Sequence, residues 1–218
     1  MKPSFFIRLI APLCVLALAG CSLLAGGDRQ SITIYAPQVR VQADPAWPQV
    51  DWQLAIAKPS AARLVDSPRI SVRPTPGELE VYRGATWSQP ATDLLEDTLL
   101  RGFEDSGRID AVARIAAGIR SDYKLTTDVR RFEADYRGSD LPAATIELNA
   151  KLIHSLDQRV VAARTFVVAQ PAASTHIPSV ARAFETALDK VASELIGWTL
   201  LSGQRDEARQ SPPQPGGK

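Results

Sequence analysis

An α+β fold is what this sequence predicts: a mixed, largely antiparallel sheet with two amphipathic helices packed on one face. Three observations carry it. Two segments, 90–106 and 179–201, place apolar residues at helical spacing. Several short segments ahead of the first helix alternate apolar and polar residues. The run 121–168 alternates through two turn signals, as a three-stranded antiparallel meander does.

The elements follow in order. Ser31–Tyr35 alternates and ends before Pro37, which predicts a strand. Residues 42–49 hold Pro45 and Pro48 and read as a loop. Val50, Trp52, Leu54 and Ile56 share one side of a second strand, stopped at Lys58-Pro59. Arg69–Arg73 is a third strand between Pro68 and Pro74, and Glu78–Arg83 a fourth after the Pro76-Gly77 turn. Gly84–Trp87 leads into the first helix. Ser88 or Thr92 is its expected cap, Pro90 suits its first turn, and Leu94, Leu95, Thr98, Leu99 and Phe103 form its stripe. Gly107 should stop it.

Arg108–Arg114 is a brief strand. In Ser121–Tyr136, Tyr123, Leu125, Thr127 and Val129 are in phase, and the phase breaks at Arg130-Arg131-Phe132, which predicts a bulge. Ala143–Leu156 and Arg159–Val168 complete the meander around Asp157-Gln158. Val180, Phe184, Ala187, Leu188, Val191, Leu195 and Trp198 form the stripe of the second helix, with Gly203 as the expected stop. The polar, proline-rich stretch 204–218 reads as a disordered tail. The expected organisation is thus a leader (1–20), a tether (21–30), one domain (31–203) and the tail.

The leader carries the clearest chemical signal. Lys2 and Arg8 precede an apolar run of Leu9–Ala19, too short to span a bilayer, which needs roughly 20 apolar residues. It ends in Leu18-Ala19-Gly20-Cys21, similar to the bacterial lipoprotein signal, in which the cysteine thiol is acylated and becomes the new N-terminus after cleavage. Small residues let a peptidase reach the bond, and the thiol is the nucleophile for the thioether. Ser22 follows where an aspartate would favour inner-membrane retention, so the expected location is the periplasmic face of the outer membrane. Several acyl chains, at about 0.8 kcal/mol per buried methylene, make such an anchor effectively permanent.

Composition narrows the function. The two cysteines are Cys14, in the leader, and Cys21, so the folded part has no disulfide, zinc cluster or cysteine nucleophile to offer. The formal net charge is +1, and loss of Lys2 and Arg8 leaves it near neutral, which gives nucleic acid no electrostatic footprint. His154 and His176 each stand alone, without metal-ligand spacing, and no nucleophile elbow or phosphate loop occurs. Asp93, Glu96 and Asp97 read as a solvated helix face, and Glu133 and Asp135 as an exposed strand end. No cofactor and no enzymatic activity are expected. Trp52 and Trp198 are expected in the core, and Trp87 as a staple for the first helix. Trp47, between prolines, is the candidate for a partner surface, although packing is the more economical role for it.

One order of signals joins these features: the lipobox; a strand with Tyr35; Ile70–Pro74; Val81-Tyr82-Arg83; Trp87; a helix with leucines at 94, 95 and 99; strands with Tyr123 and Phe166; and a final helix to Trp198. Over roughly residues 18–202 it resembles the ABC-type transport auxiliary lipoproteins, the group containing the outer-membrane lipoprotein of paraquat-inducible transport systems. The resemblance implies a non-catalytic docking piece. Its implied partners are a mammalian-cell-entry (MCE) domain protein and an ABC permease and ATPase that move lipids or other hydrophobic molecules between two membranes. Near-neutral charge and edge strands leave room for a homo-oligomer. Two other readings remain open at this point: an assembly lipoprotein for an outer-membrane barrel or lipopolysaccharide machine, and an anchored hydrolase.

Overall fold

The computed structural model describes residues 31–210. The leader, Cys21, Ser22, the tether and residues 211–218 lie outside the described residues, and residues 33–210 belong to one compact unit. Its strands are β1 (Thr33–Tyr35), β2 (Val50–Ile56), β3 (Ser60–Ala61), β4 (Arg69–Arg73), β5 (Glu80–Trp87), β6 (Ile109–Arg114), β7 (Tyr123–Asp135), β8 (Ala143–His154) and β9 (Val160–Pro171). Its helices are α1 (Ala91–Ser106) and α2 (Ile177–Gln210), with a short 3₁₀ turn at Ile115–Ala117.

All nine strands form one mixed sheet, and β7 is its spine. One edge of β7 pairs with β8 along the whole strand, antiparallel, from Tyr123 opposite His154 to Asp135 opposite Ala143. The other edge is shared by three parallel partners in succession: β2 at Tyr123–Leu125, β3 at Asp128–Val129 and β4 at Glu133–Asp135. β6 continues the sheet beyond β2 in parallel, β5 and β1 continue it beyond β4, and β9 lies antiparallel beyond β8. The expected meander is therefore β7–β8–β9. The long ladders are antiparallel, and the short ones feeding the spine are parallel.

The predicted break in β7 is a bulge between Val129 and Arg131. It moves the inward phase from odd to even positions, so that Val129 is followed inward by Phe132 and Ala134, while Arg131, Glu133 and Asp135 take the opposite face. β5 runs four residues beyond the expected Arg83, to Trp87. Gly84, at φ 71°, falls in the irregular stretch between its two registers with β4, a left-handed conformation that costs glycine least.

The helices lie side by side: α1 packs on α2 and β6, and α2 lies along β8 and β9. The stripe residues Leu94, Leu95, Leu99 and Phe103 of α1 are buried as predicted. Neither expected cap caps it. Pro90 occupies the N-cap position, Thr92 is buried with its hydroxyl donating to the Asp66 carboxylate, and Gly107 (φ 60°) ends the helix in the left-handed conformation. Close approach of the helices depends on Gly102, where a Cβ would sit 2.6 Å from Ile196 Cδ1. Phe184 of α2 stacks on Phe132 of β7 (centroids 4.8 Å apart), and Trp87 meets both rings edge-on. Trp87 is thus a core anchor between sheet and helix.

Helix α2 does not stop at Gly203 but continues to Gln210. Gly203 is instead a close-approach position, where a Cβ would lie 2.4 Å from Trp52 Cζ2. The first seven residues assigned to the tail are therefore helix, held by Asp206, whose carboxylate is buried.

Candidate functional site: an aromatic groove on the second helix

A concavity of about 560 Å³, open to solvent, runs along the outer side of α2, between the turn at Asp44–Trp47 and the edge strand β9. The turn is built locally: Asp44 Oδ1 accepts the Ala46 N–H and the Asp44 carbonyl accepts that of Trp47. This delivers the Trp47 indole onto Gly197, where a Cβ would stand 2.5 Å from its Nε1. Trp47 is 7% exposed, so packing is its main role, with the ring also lining the groove. Trp198, expected in the core, is only partly buried. It meets Phe166 edge-on at 5.6 Å, while Arg164 lies 4.7 Å over the same Phe166 ring. Arg164 makes a long, exposed ion pair with Glu194 (3.9 Å), and Arg205 and Asp44 add one charge of each sign. Flanking indoles with exposed charges of both signs suit a protein or amphiphile contact. They do not provide a nucleophile with an orienting base.

Below this groove a chain of polar groups ties the end of α2 to the sheet. Arg159, from the β8–β9 turn, donates twice to Asp206 (2.7 and 2.9 Å), and the Tyr123 phenol donates to Asp206 at 3.1 Å. The Arg159 hydrogen bonds hold the Asp206 carboxyl below its ordinary range, against burial, while burial pushes the Tyr123 phenol up. Arg159 also donates to Asp157, whose carboxyl is lowered to about 2, chiefly by its 2.8 Å hydrogen bond with His154 Nδ1. His154 is thereby engaged in a turn, and His176 is exposed just before α2. Neither joins a catalytic constellation, and no group of three metal-ligating side chains occurs among the described residues.

Two acidic clusters differ from their expected setting. Glu133 and Asp135 are buried rather than at an exposed strand end. Arg73 chelates Glu133 (2.8 and 2.9 Å), Arg131 bridges Glu133 and Asp135, and Arg137 donates to Asp135. Burial alone would raise the Glu133 carboxyl, but hydrogen bonds from Arg73 and Arg131 hold it below its usual range. The parallel β4–β7 register creates this cluster by placing Ser71 beside Glu133 and Arg73 beside Asp135, which no local pattern announces. On α1, Glu96 is buried and pairs with Arg114, while Asp97 pairs with Arg114 and Arg101 and Asp93 with Lys58, both aspartates half-buried rather than on the solvated face expected of all three. Both clusters are structural ties between elements.

The described residues thus define an α+β module with surfaces for interaction and no assembled catalytic machinery. No helix among them is long and apolar enough to cross a membrane. Residues 33–196 match the ABC-type transport auxiliary lipoprotein component family, and the chain belongs to it. A crystal structure of protein XCC0632 from Xanthomonas campestris is similar at 70% identity and a TM-score of 0.79, covering 81% of this chain and 99% of that one. A second crystal structure, of an uncharacterised protein, shares the fold at 12% identity and a TM-score of 0.57, over 73% of this chain and 97% of that one. Among curated proteins, the uncharacterised bll6063 of Bradyrhizobium diazoefficiens is 28% identical over 187 residues, 85% of this chain. The chain spans about half (50%) of that relative's length.

Proposed function

We propose that this protein is an acyl-anchored, periplasm-facing lipoprotein of the outer membrane, acting as a non-catalytic auxiliary subunit of an ABC transporter that carries hydrophobic molecules, lipids among them, between the two membranes. The observation that carries this reading is the family match over residues 33–196, downstream of Leu18-Ala19-Gly20-Cys21. The fold suits the role: a sheet with an open aromatic groove can dock a partner, while its buried carboxylates, Glu96, Glu133, Asp135 and Asp206, are engaged by arginines. Partners in this reading are an MCE-domain protein and the ABC permease and ATPase, and Ser22 directs the anchored protein outward.

Affinity purification of the tagged, membrane-extracted protein in mild detergent tests the partners. Recovery of an MCE protein or ABC permease is the expected result. Recovery of a β-barrel protein without them would replace this reading with the assembly-lipoprotein one. Metabolic labelling with a clickable palmitate tests the anchor: wild type should incorporate label, and Cys21→Ser should lose both label and membrane fractionation. Ser22→Asp should move the protein to the inner-membrane fraction.

A further inference from the structure

One corner of the sheet carries side chains that the core does not use. Ile34, in the middle of the three-residue strand β1, is 66% exposed, and Ile32, just ahead of it in the chain, is equally exposed. A single exposed apolar residue is ordinary on a protein surface, but this one has a defined setting. The ladders place Ile34 in one row with Thr86 of β5 and Arg69 of β4. Their chain neighbours Tyr35, Ala85, Trp87 and Ile70 all pack on the core. Alternation therefore turns Ile34, Thr86 and Arg69 to the face of the sheet away from the helices, with Ile34 and Arg69 about 10 Å apart. Tyr82 also packs on the core, so Arg83 beside it turns outward, just before the irregular stretch at Gly84. Arg69 and Arg83 are both exposed, and neither side chain forms an ion pair among the described residues.

The chain reaches this corner directly from Cys21. Ile32 is the eleventh residue after it, and eleven residues cover at most about 40 Å however they are arranged. With a lipid on Cys21, β1 is held near the bilayer surface, and whatever contact it makes there is intramolecular in effect. A contact too weak to hold a free protein is then well populated. The side chains suit such a surface. An isoleucine enters the boundary between headgroups and acyl chains, and guanidinium groups bind phosphate oxygens in pairs. An anionic leaflet adds attraction for each arginine near it. Since the acyl chains already make attachment permanent, the second contact acts on orientation rather than on attachment.

We propose that this corner of the sheet, Ile34 with Arg69 and Arg83, rests on the bilayer that holds the anchor, the isoleucine entering the headgroup region and the arginines meeting lipid phosphates. The inference rests on the acyl-anchor reading above and adds to it which part of the domain faces the lipid. Strand β9 lies five strand spacings from β1, about 24 Å across the sheet. The groove beside Trp198 is thereby kept off the membrane, where a partner can reach it.

The test uses the full-length protein, extracted from membranes in detergent and reconstituted into vesicles of phosphatidylethanolamine and phosphatidylglycerol that contain a spin-labelled quencher lipid. With Cys14 in the leader and Cys21 acylated, an introduced cysteine is the one thiol open to a fluorophore. Ile32→Cys reports on the corner, and Val167→Cys, exposed on β9, reports on the far edge. Lipid should quench the first label strongly and the second little. In the Ile32→Cys background, Arg69→Glu with Arg83→Glu should lower the ratio of contacting to free domains by roughly tenfold. Lysine at both positions should keep most of the contact, and Ile34→Ser should weaken it. An unchanged urea midpoint confirms that each variant is folded. Proximity through the tether alone would leave quenching indifferent to all of these changes. A protein that does not float with the vesicles overturns the anchor reading and this inference with it. A protein that floats, but whose label at 32 is quenched no more than that at 167 or ignores the charge reversal, overturns this inference alone.

Discussion

Replacing Gly203 with alanine adds one carbon two turns from the end of α2. In an exposed helix that change is stabilising by about 1 kcal/mol, because glycine costs backbone entropy. Here the new Cβ would lie 2.4 Å from Trp52 Cζ2 and 2.7 Å from its Cε2. Trp52 cannot withdraw freely: it is buried in β2, meets Tyr123 edge-on at 5.0 Å, and its indole N–H makes no hydrogen bond that could guide a new position. Overpacking a rigid ring in a close-packed core costs about 1–3 kcal/mol, and a sub-van-der-Waals approach to an indole belongs at the upper end. The expected net result is a loss of about 1–2 kcal/mol, seen as a lower urea midpoint at unchanged slope. Trp52→Phe should lessen the penalty, because the second ring is what the Cβ strikes. A midpoint equal to or above wild type for Gly203→Ala would refute the close-packing account and return Gly203 to the status of an ordinary helix residue.

The remaining predictions concern the core, acid and the anchor. Phe184→Ala, which empties the space between Trp87 and Phe132, should cost about 3–5 kcal/mol in the same urea experiment. The carboxyls of Glu133, Asp135 and Asp206 are held below their ordinary values, so their contribution is complete above the unfolded value near about 4 and is lost as pH falls through the folded values. Asp189 and Glu207 are shifted up and work in the opposite direction, so the informative measurement is the difference between wild type and Asp206→Asn, which should flatten the fall in stability below about pH 4. Under the proposed anchor, Cys21→Ser should release the protein from membranes without altering its urea midpoint, since an acyl group there would act on location and not on the core.

Much of this architecture is legible from spacing alone. Both helical stripes, the β7–β9 meander and the bulge after Val129 follow from the periods of apolar residues, because each reflects which side of one element faces the core. What escapes that reading is whatever depends on two elements meeting. Gly203 carries the punctuation of a helix end, and only the arrival of Trp52 from β2 gives it another use. Asp206 sits in a polar stretch and reads as tail until Arg159 and Tyr123 surround it. Its position nonetheless continues the helical period through Leu195, Thr199 and Gly203, a signal hidden by the polarity of its neighbours. Glu133 is misread as exposed for the same reason, since the arginine that chelates it lies 60 residues away at Arg73 on β4, and Asp135 is misread because the parallel pairing of β4 covers that end of β7. Trp47 packs, as its more economical role had it, because Gly197 admits its ring, whereas Trp198, expected in the core, is left at the groove.

The central position of β7 also sets the order in which the chain can consolidate. Until Tyr123–Asp135 is available, the pairs β4–β5 and β2–β6 belong to two separate ribbons with no strand to join them. Isolated two-stranded pieces are marginal in water, and contacts between distant segments form slowly. The first half of the polypeptide is therefore held back from early commitment by its own topology. For a chain threaded across a membrane from its N-terminus, that delay is useful: the segments that enter the channel first are those least able to jam it by folding.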